Sequence, residues 1–147
     1  MTAPTTIVNA ILSAIDAGVA DVDTTSSTDF TPAITTKSVA ALSPAFDLSS
    51  SFEWDTLGAA EIVVTHRIPI EFWVKHDGKP AATMQRARDV GAAALSALVA
   101  ADGTGYTLNY SEAVTFAVDP GLTTINSVSW LVANMTVTVI DTVTLGD

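Results

Sequence analysis

The chain has 147 residues, of which 48% are hydrophobic and 15% charged, and its net charge is −10 at neutral pH. Its six basic residues, Lys37, Arg67, Lys75, Lys79, Arg86 and Arg88, form no basic run, which excludes nucleic-acid affinity through phosphate neutralisation. The lack of cysteine excludes disulfides, thiolate chemistry and cysteine-bound zinc.

The length fits a single domain, residues 1–147. An average soluble domain carries about 25% charged residues. A chain poorer in charge either buries an unusual share of itself or hands apolar and hydroxyl-rich surface to partners, and partners are the favoured reading. Met1-Thr2-Ala3-Pro4 lacks the charged stretch of a signal peptide, and no apolar run approaches membrane-spanning length. The expectation is a soluble chain made in the cytoplasm, with no membrane partner.

In chain order, Pro4 suits the first turn of a helix, and Ile7, Val8, Ile11, Leu12 and Ile15 then form one apolar stripe. Asn9, Ser13 and Asp16 point outward, and Gly18 is placed to close the helix as a left-handed cap. Residues 21–60 are rich in hydroxyls, with fourteen Ser or Thr in forty positions. Large apolar residues from Phe30 to Leu57 run through the stretch, so it reads as short strands and long loops that pack, because a disordered linker is short of such residues.

The clearest element follows. Ile62, Val64, His66, Ile68, Ile70, Phe72 and Val74 occupy every second position, which predicts a strand over 61–75. Pro69 cannot donate a ladder hydrogen bond and suggests an edge strand or a bulge. After the turn Asp77-Gly78-Lys79-Pro80 the spacing becomes helical over about 81–101, with Met84, Ala87, Gly91, Ala94, Leu95, Leu98 and Ala101 on the buried side. Tyr106, Leu108, Tyr110, Glu112, Val114, Phe116 and Val118 alternate as a further strand, and Asp119-Pro120-Gly121 begins a loop. Ser127 to Asp141 returns as a strand whose apolar phase changes near Ala133-Asn134, implying a bulge there or burial on both faces. The order predicts an α+β fold: a largely antiparallel sheet of about four to five strands with two helices packed on one face.

No catalytic, metal or cofactor site emerges. His66 reads as a packed strand residue and His76 as an exposed loop residue, and no Gly-x-Ser-x-Gly elbow accompanies them. Two histidines nine residues apart do not match a His-Glu-x-x-His zinc helix. Asp21-Val22-Asp23 with Asp29 fails as a calcium loop, because Ser26 stands where glycine is required and Pro32 where the bidentate glutamate belongs. Gly103-Thr104-Gly105 follows a helix instead of opening one and reads as a tight turn, not a phosphate site. Of the tryptophans Trp54, Trp73 and Trp130, Trp73 lies on the outward phase of its strand. It is read either as an interface anchor or as a residue covered by the 21–60 loops of its own chain.

The stretches Ile7-Val8-Asn9-Ala10-Ile11-Leu12, Leu42-Ser43-Pro44-Ala45-Phe46-Asp47-Leu48 and Arg67-Ile68-Pro69-Ile70-Glu71-Phe72-Trp73-Val74 stand out in this order. With the helix carrying Arg86, Arg88 and Asp89, and the final strand pair, the chain resembles the tail-terminator (tail completion) family of long-tailed bacteriophages. The resemblance covers nearly the whole length and rests on element order. The Ser/Thr-rich insertion and the acidity depart from the family.

The resemblance implies a virion structural protein of the tail and neck, assembled in the host cytoplasm. Copies form a hexameric ring that caps the tail tube protein, ends its polymerisation and docks the head-side connector or stopper protein. DNA passes through the lumen without specific binding. Arg67, Trp73, Arg86 and Arg88 are then the candidate interface residues. Asp16, Asp21, Asp23, Asp29, Asp55 and Asp119 are candidates to face the lumen, where carboxylates repel phosphate. The competing readings are a head-closure or tail-tube subunit, a small cytoplasmic enzyme using His66, and a carbohydrate-binding module stacking sugars on Trp54 and Trp73.

Overall fold

The computed structural model describes residues 4–24, 37–43, 52–56, 61–125 and 127–144. Helices α1 (Pro4–Gly18) and α2 (Pro80–Ala100) accompany six strands: β1 (Val22–Asp23), β2 (Val39–Leu42), β3 (Phe52–Thr56), β4 (Glu61–Lys75), β5 (Thr115–Ile125) and β6 (Val128–Thr144). The sheet runs β1-β2-β4-β6-β5, and β3 pairs with β4 on the same edge as β2. Among the described strands only β1 and β2 pair in parallel. The fold is α+β, with both helices packed on one face of a largely antiparallel sheet.

Strand β4 is the axis. Glu61 to Lys75 pairs without a break with Thr144 to Trp130 of β6, so the long hairpin-like ribbon keeps one register along its whole length. Its even-numbered residues Ile68, Ile70, Phe72 and Val74 join Leu131, Ala133, Met135 and Val137 under Ile7, Ile11 and Ile15 of α1 and Ala87, Ala94 and Leu98 of α2. This is the main core, and Phe72 stands tilted against Phe116 of β5 with ring centroids 6.4 Å apart.

The unbroken register shows that β6 carries no bulge near Ala133-Asn134. Its change of apolar phase comes from burial on both faces. Trp130 packs on the opposite face with Trp73, Ala40 and Leu42, flanked by Ile125, Val128 and Val132.

Pro69 also departs from expectation, since β4 is internal to the sheet. On the β2–β3 side, β2 pairs with residues 71–74 and β3 with 62–66, leaving Pro69 opposite the gap between them. The Pro69 carbonyl accepts from Ser43 Oγ at 2.8 Å, and a strand residue's N and C=O point the same way, so its missing donor faces that gap and costs no ladder bond.

The segment 106–114 is not the strand its alternation suggests. Only Leu108 bridges to Val139, and β5 begins at Thr115. Two backbone bonds flank that bridge, Asn109 N–H to the Thr138 carbonyl and Ile140 N–H to the Thr107 carbonyl, and side-chain bonds hold the rest. Asp102 accepts from the Leu108 N–H at 2.9 Å and from the Tyr110 hydroxyl at 2.6 Å, while the buried Tyr106 hydroxyl donates to the Leu98 carbonyl at 2.6 Å. Conversely, Asp119-Pro120-Gly121 stays within β5 as a bulge between Val118 and Leu122.

The α1 terminus corrects a further expectation. The positive-φ residues described are Asp21, Gly78, Gly103, Gly105 and Ser127, so Gly18 is not a left-handed cap. Its role is steric, because a methyl built there would lie 2.3 Å from the Ala97 Cβ of α2. Gly105 lies against Ala10 in the same way, so α1 and α2 run antiparallel and close together.

Candidate functional site

The lateral sides of this domain are unlike one another. One carries the edge of β5, eleven residues long, exposed over Asp119 to Thr124 and without a further strand among the described residues. Edge strands present unpaired N–H and C=O groups and accept further strands unless blunted, and here the bulge at Asp119-Pro120-Gly121 interrupts the edge. The other side carries β1, β2 and β3, with α1 above β2.

The candidate interface residues fall in separate places. Arg67 lies on the sheet face away from the helices and grips Glu112 with two bonds, Nη2 to Oε1 at 2.7 Å and Nε to Oε2 at 3.2 Å. The Thr138 hydroxyl also donates to Glu112, so this arginine ties the 106–114 segment to the sheet. The arginine beside it holds the Glu112 carboxyl below its usual range.

Arg86 donates to the Lys75 carbonyl and to Asp77, closing the β4–α2 turn. Asp77 also accepts from the Lys79 N–H and the Thr83 hydroxyl, and these contacts lower its pKa. Arg88 is exposed on α2. Trp73 is only 7% exposed, standing edge-on to Trp130 with centroids 6.5 Å apart and an interplanar angle of 77°. Ala40 and Leu42 of its own chain cover it, so it offers no stacking platform on the subunit surface.

The acidic candidates also divide. Asp16, Asp21 and Asp23 follow one another along the end of α1 and into β1. Asp21 accepts from the Ser38 N–H, and bonding to Ser38 lowers its pKa. Asp119 lies on the opposite edge of the sheet, where it accepts from the Gly121 N–H. Asp29 and the side chains of Asp55 and Trp54 lie outside the described residues.

His66 is fully buried on the helix-side face, and burial pushes its pKa down while Asp141 opposes the shift. His76 is half-buried, not exposed as expected, with Nδ1 3.1 Å from the Thr83 hydroxyl at the start of α2. Among the described residues no group of three or more His, Asp or Glu side chains is placed to hold a metal, and no helix is long and apolar enough to cross a membrane. A hollow of about 340 Å³ is lined by Val19, Ala20, Val39 and Val90 together with Arg86 and Asp89. It has a mainly apolar floor and no convergent catalytic groups among the described residues.

One surface was missed by the sequence reading. Leu95, assigned to the buried side of α2, is 41% exposed, and Val99 is 47% exposed. The residues buried under α2 are Thr83, Ala87, Val90, Gly91, Ala94 and Leu98, which turns Leu95 onto a flank. The signal was present in the spacing, since Arg88, Ala92, Leu95 and Val99 form their own line at steps of four, three and four.

A scan against protein-family models and a search of curated proteins both return no match to the chain.

Proposed function

We propose that this protein is a structural component of a bacteriophage tail, of the tail-terminator kind. Copies form a closed ring, by the resemblance a hexamer, that caps the tail tube, ends its growth and joins it to the head-side connector. The observation that carries the reading is the pair of unlike lateral sides: a free β5 edge beside an apolar flank of α2 on one, and α1 with β1–β3 on the other. Unlike surfaces that meet head to tail and close on themselves generate a ring.

The chemistry agrees with that role. Six basic residues against sixteen acidic ones give passing DNA no basic track to adhere to. Asp21 and Asp23 on one side and Asp119 on the other bring carboxylates from two copies towards each subunit boundary, while Asp16 stands on the α1 flank. A lumen-facing position keeps those carboxylates in water and repels phosphate.

Light scattering across a concentration series, followed by negative-stain imaging, tests the reading. The expected result is a closed ring of about six subunits with a central hole. Long tubes would transfer the chain to the tube-subunit role, and a monomer at every concentration, including with tube ends added, would overturn the ring.

A further inference from the structure

We infer that the exposed line Arg88, Ala92, Leu95 and Val99 on α2 is a contact between copies of this chain, seated on the α1 flank that carries Asp16 in the next copy. The inference rests on the ring reading and names the surface that would close it.

The line is placed for that contact. Ala93 and Ala97 of α2 face α1 within the subunit, through Gly18, and Leu95 falls on the other side of the buried residues Ala94 and Leu98. That flank overlies β5, because Gly91 lies directly against the Phe116 ring. The apolar line therefore runs beside the free sheet edge, on one lateral side of the molecule. Leu95 and Val99, 41% and 47% exposed, stand one turn apart on the same helical line, so their apolar exposure is contiguous.

The opposite lateral side carries a match. Ala10 and Gly18 turn one side of α1 towards α2 and the residues after it, and Val8, Leu12 and Asp16 recur at steps of four on the other flank. Val8 and Leu12 are half-buried and Asp16 is exposed. An antiparallel pairing across the boundary, as α1 and α2 already adopt within one subunit, puts Arg88 beside Asp16. The same register sets small Ala92 against Leu12, Leu95 against Val8 and Val99 against Thr5.

The charges favour this occupant. Arg67 and Arg86 are engaged within the subunit, whereas exposed Arg88 has no salt bridge among the described residues, and Asp16 likewise has none. In a chain of net charge −10, an exposed cation at the end of an apolar line meets an anion at the end of another. A standard stable interface buries roughly 800 Å² per partner. About three turns of helix supply part of that, and the β5 edge on the same side supplies more.

Because the chain has no cysteine, an engineered pair reports the contact directly. A Val99→Cys/Thr5→Cys double variant, oxidised under assembling conditions, is expected to give a ladder of covalent species up to the full ring. Arg88→Asp and Asp16→Arg are each expected to raise the concentration at half-assembly tenfold or more, and the two together to restore it. Circular dichroism confirms that these exposed variants fold.

Rings that form at wild-type concentration in both single variants, with no covalent ladder, overturn this contact and leave the ring reading standing. A covalent dimer and nothing larger overturns it in favour of a two-fold contact. A wild-type chain that never assembles removes both.

Discussion

Replacing Gly18 by alanine tests the closest approach between the helices. The added methyl would lie 2.3 Å from the Ala97 Cβ and 3.4 Å from its Cα. Carbon atoms in contact sit about 3.5–4.0 Å apart, so α1 and α2 must part by roughly 1.2–1.7 Å at this point. Neither partner has a flexible end that could swing away, since both atoms sit at the root of an alanine on a helix.

Overpacking of this kind costs about 1–3 kcal/mol. The gain in helix propensity from losing a glycine reaches about 1 kcal/mol only in a helix interior, and Gly18 is the last helical residue. The steric cost wins, leaving a net destabilisation of about 1–2 kcal/mol. In urea, with a slope of about 2 kcal/mol/M, the midpoint should fall by roughly 0.5–1 M.

The assay is equilibrium unfolding at one fixed protein concentration, because assembly shifts apparent stability. Ala97→Gly removes the opposing methyl but costs about 1 kcal/mol of its own within α2. The relief therefore shows as non-additivity, a coupling energy of about 0.5 kcal/mol or more in a double-mutant cycle. A Gly18→Ala variant as stable as the parent, or additive behaviour of the pair, would refute the close-packed contact.

The Arg67–Glu112 pair should appear in the acid limb of stability. The folded pKa of Glu112 is lowered, so its contribution is present above the ordinary carboxylate range and is lost as pH falls through the lowered value. Glu112→Gln should therefore lower Tm at pH 6, and the gap to the parent should close as pH falls from the ordinary carboxylate range through the lowered value. Parallel curves across that window would show that the pair does not hold the 106–114 segment. The two tyrosines give an independent check. Burial and nearby Asp102 push Tyr106 up to about 12, and the bond to Asp102 raises Tyr110, so tyrosinate absorbance at pH 10 should stay below half of its final value. A midpoint at 10 for either residue would contradict the packing around Asp102.

Local pattern determined much of this fold. The period-two run placed β4 at Glu61–Lys75, and the helical spacing on either side placed α1 and α2 to within a residue. These features are legible because a strand or helix imposes its own period on which residues reach an apolar face. The absence of a basic run and of thiol chemistry is likewise a property of composition.

What the sequence left open is how elements sit against one another. Leu95 continues the apolar pattern of α2, yet only the rotation of that helix over β4, β6 and β5 puts it outside the core. Trp73 reads as outward-facing along its strand. It is buried because β2 and β6 bring Ala40, Leu42 and Trp130 onto the same face. Pro69 is tolerated inside the sheet because two short strands leave a gap beside it. Alternation over Tyr106 to Val114 suggested a strand where side-chain bonds to Asp102 and Arg67 hold a non-strand segment.

The candidate site divides the same way. The residue types and the helical line containing Arg88 are written in the chain. Its place on the side opposite Asp16 is a tertiary matter, because strand order alone decides which elements end at the two edges of a sheet. Periodicity reports which residues share a face, while the partner that covers a face is chosen by packing between segments far apart in sequence.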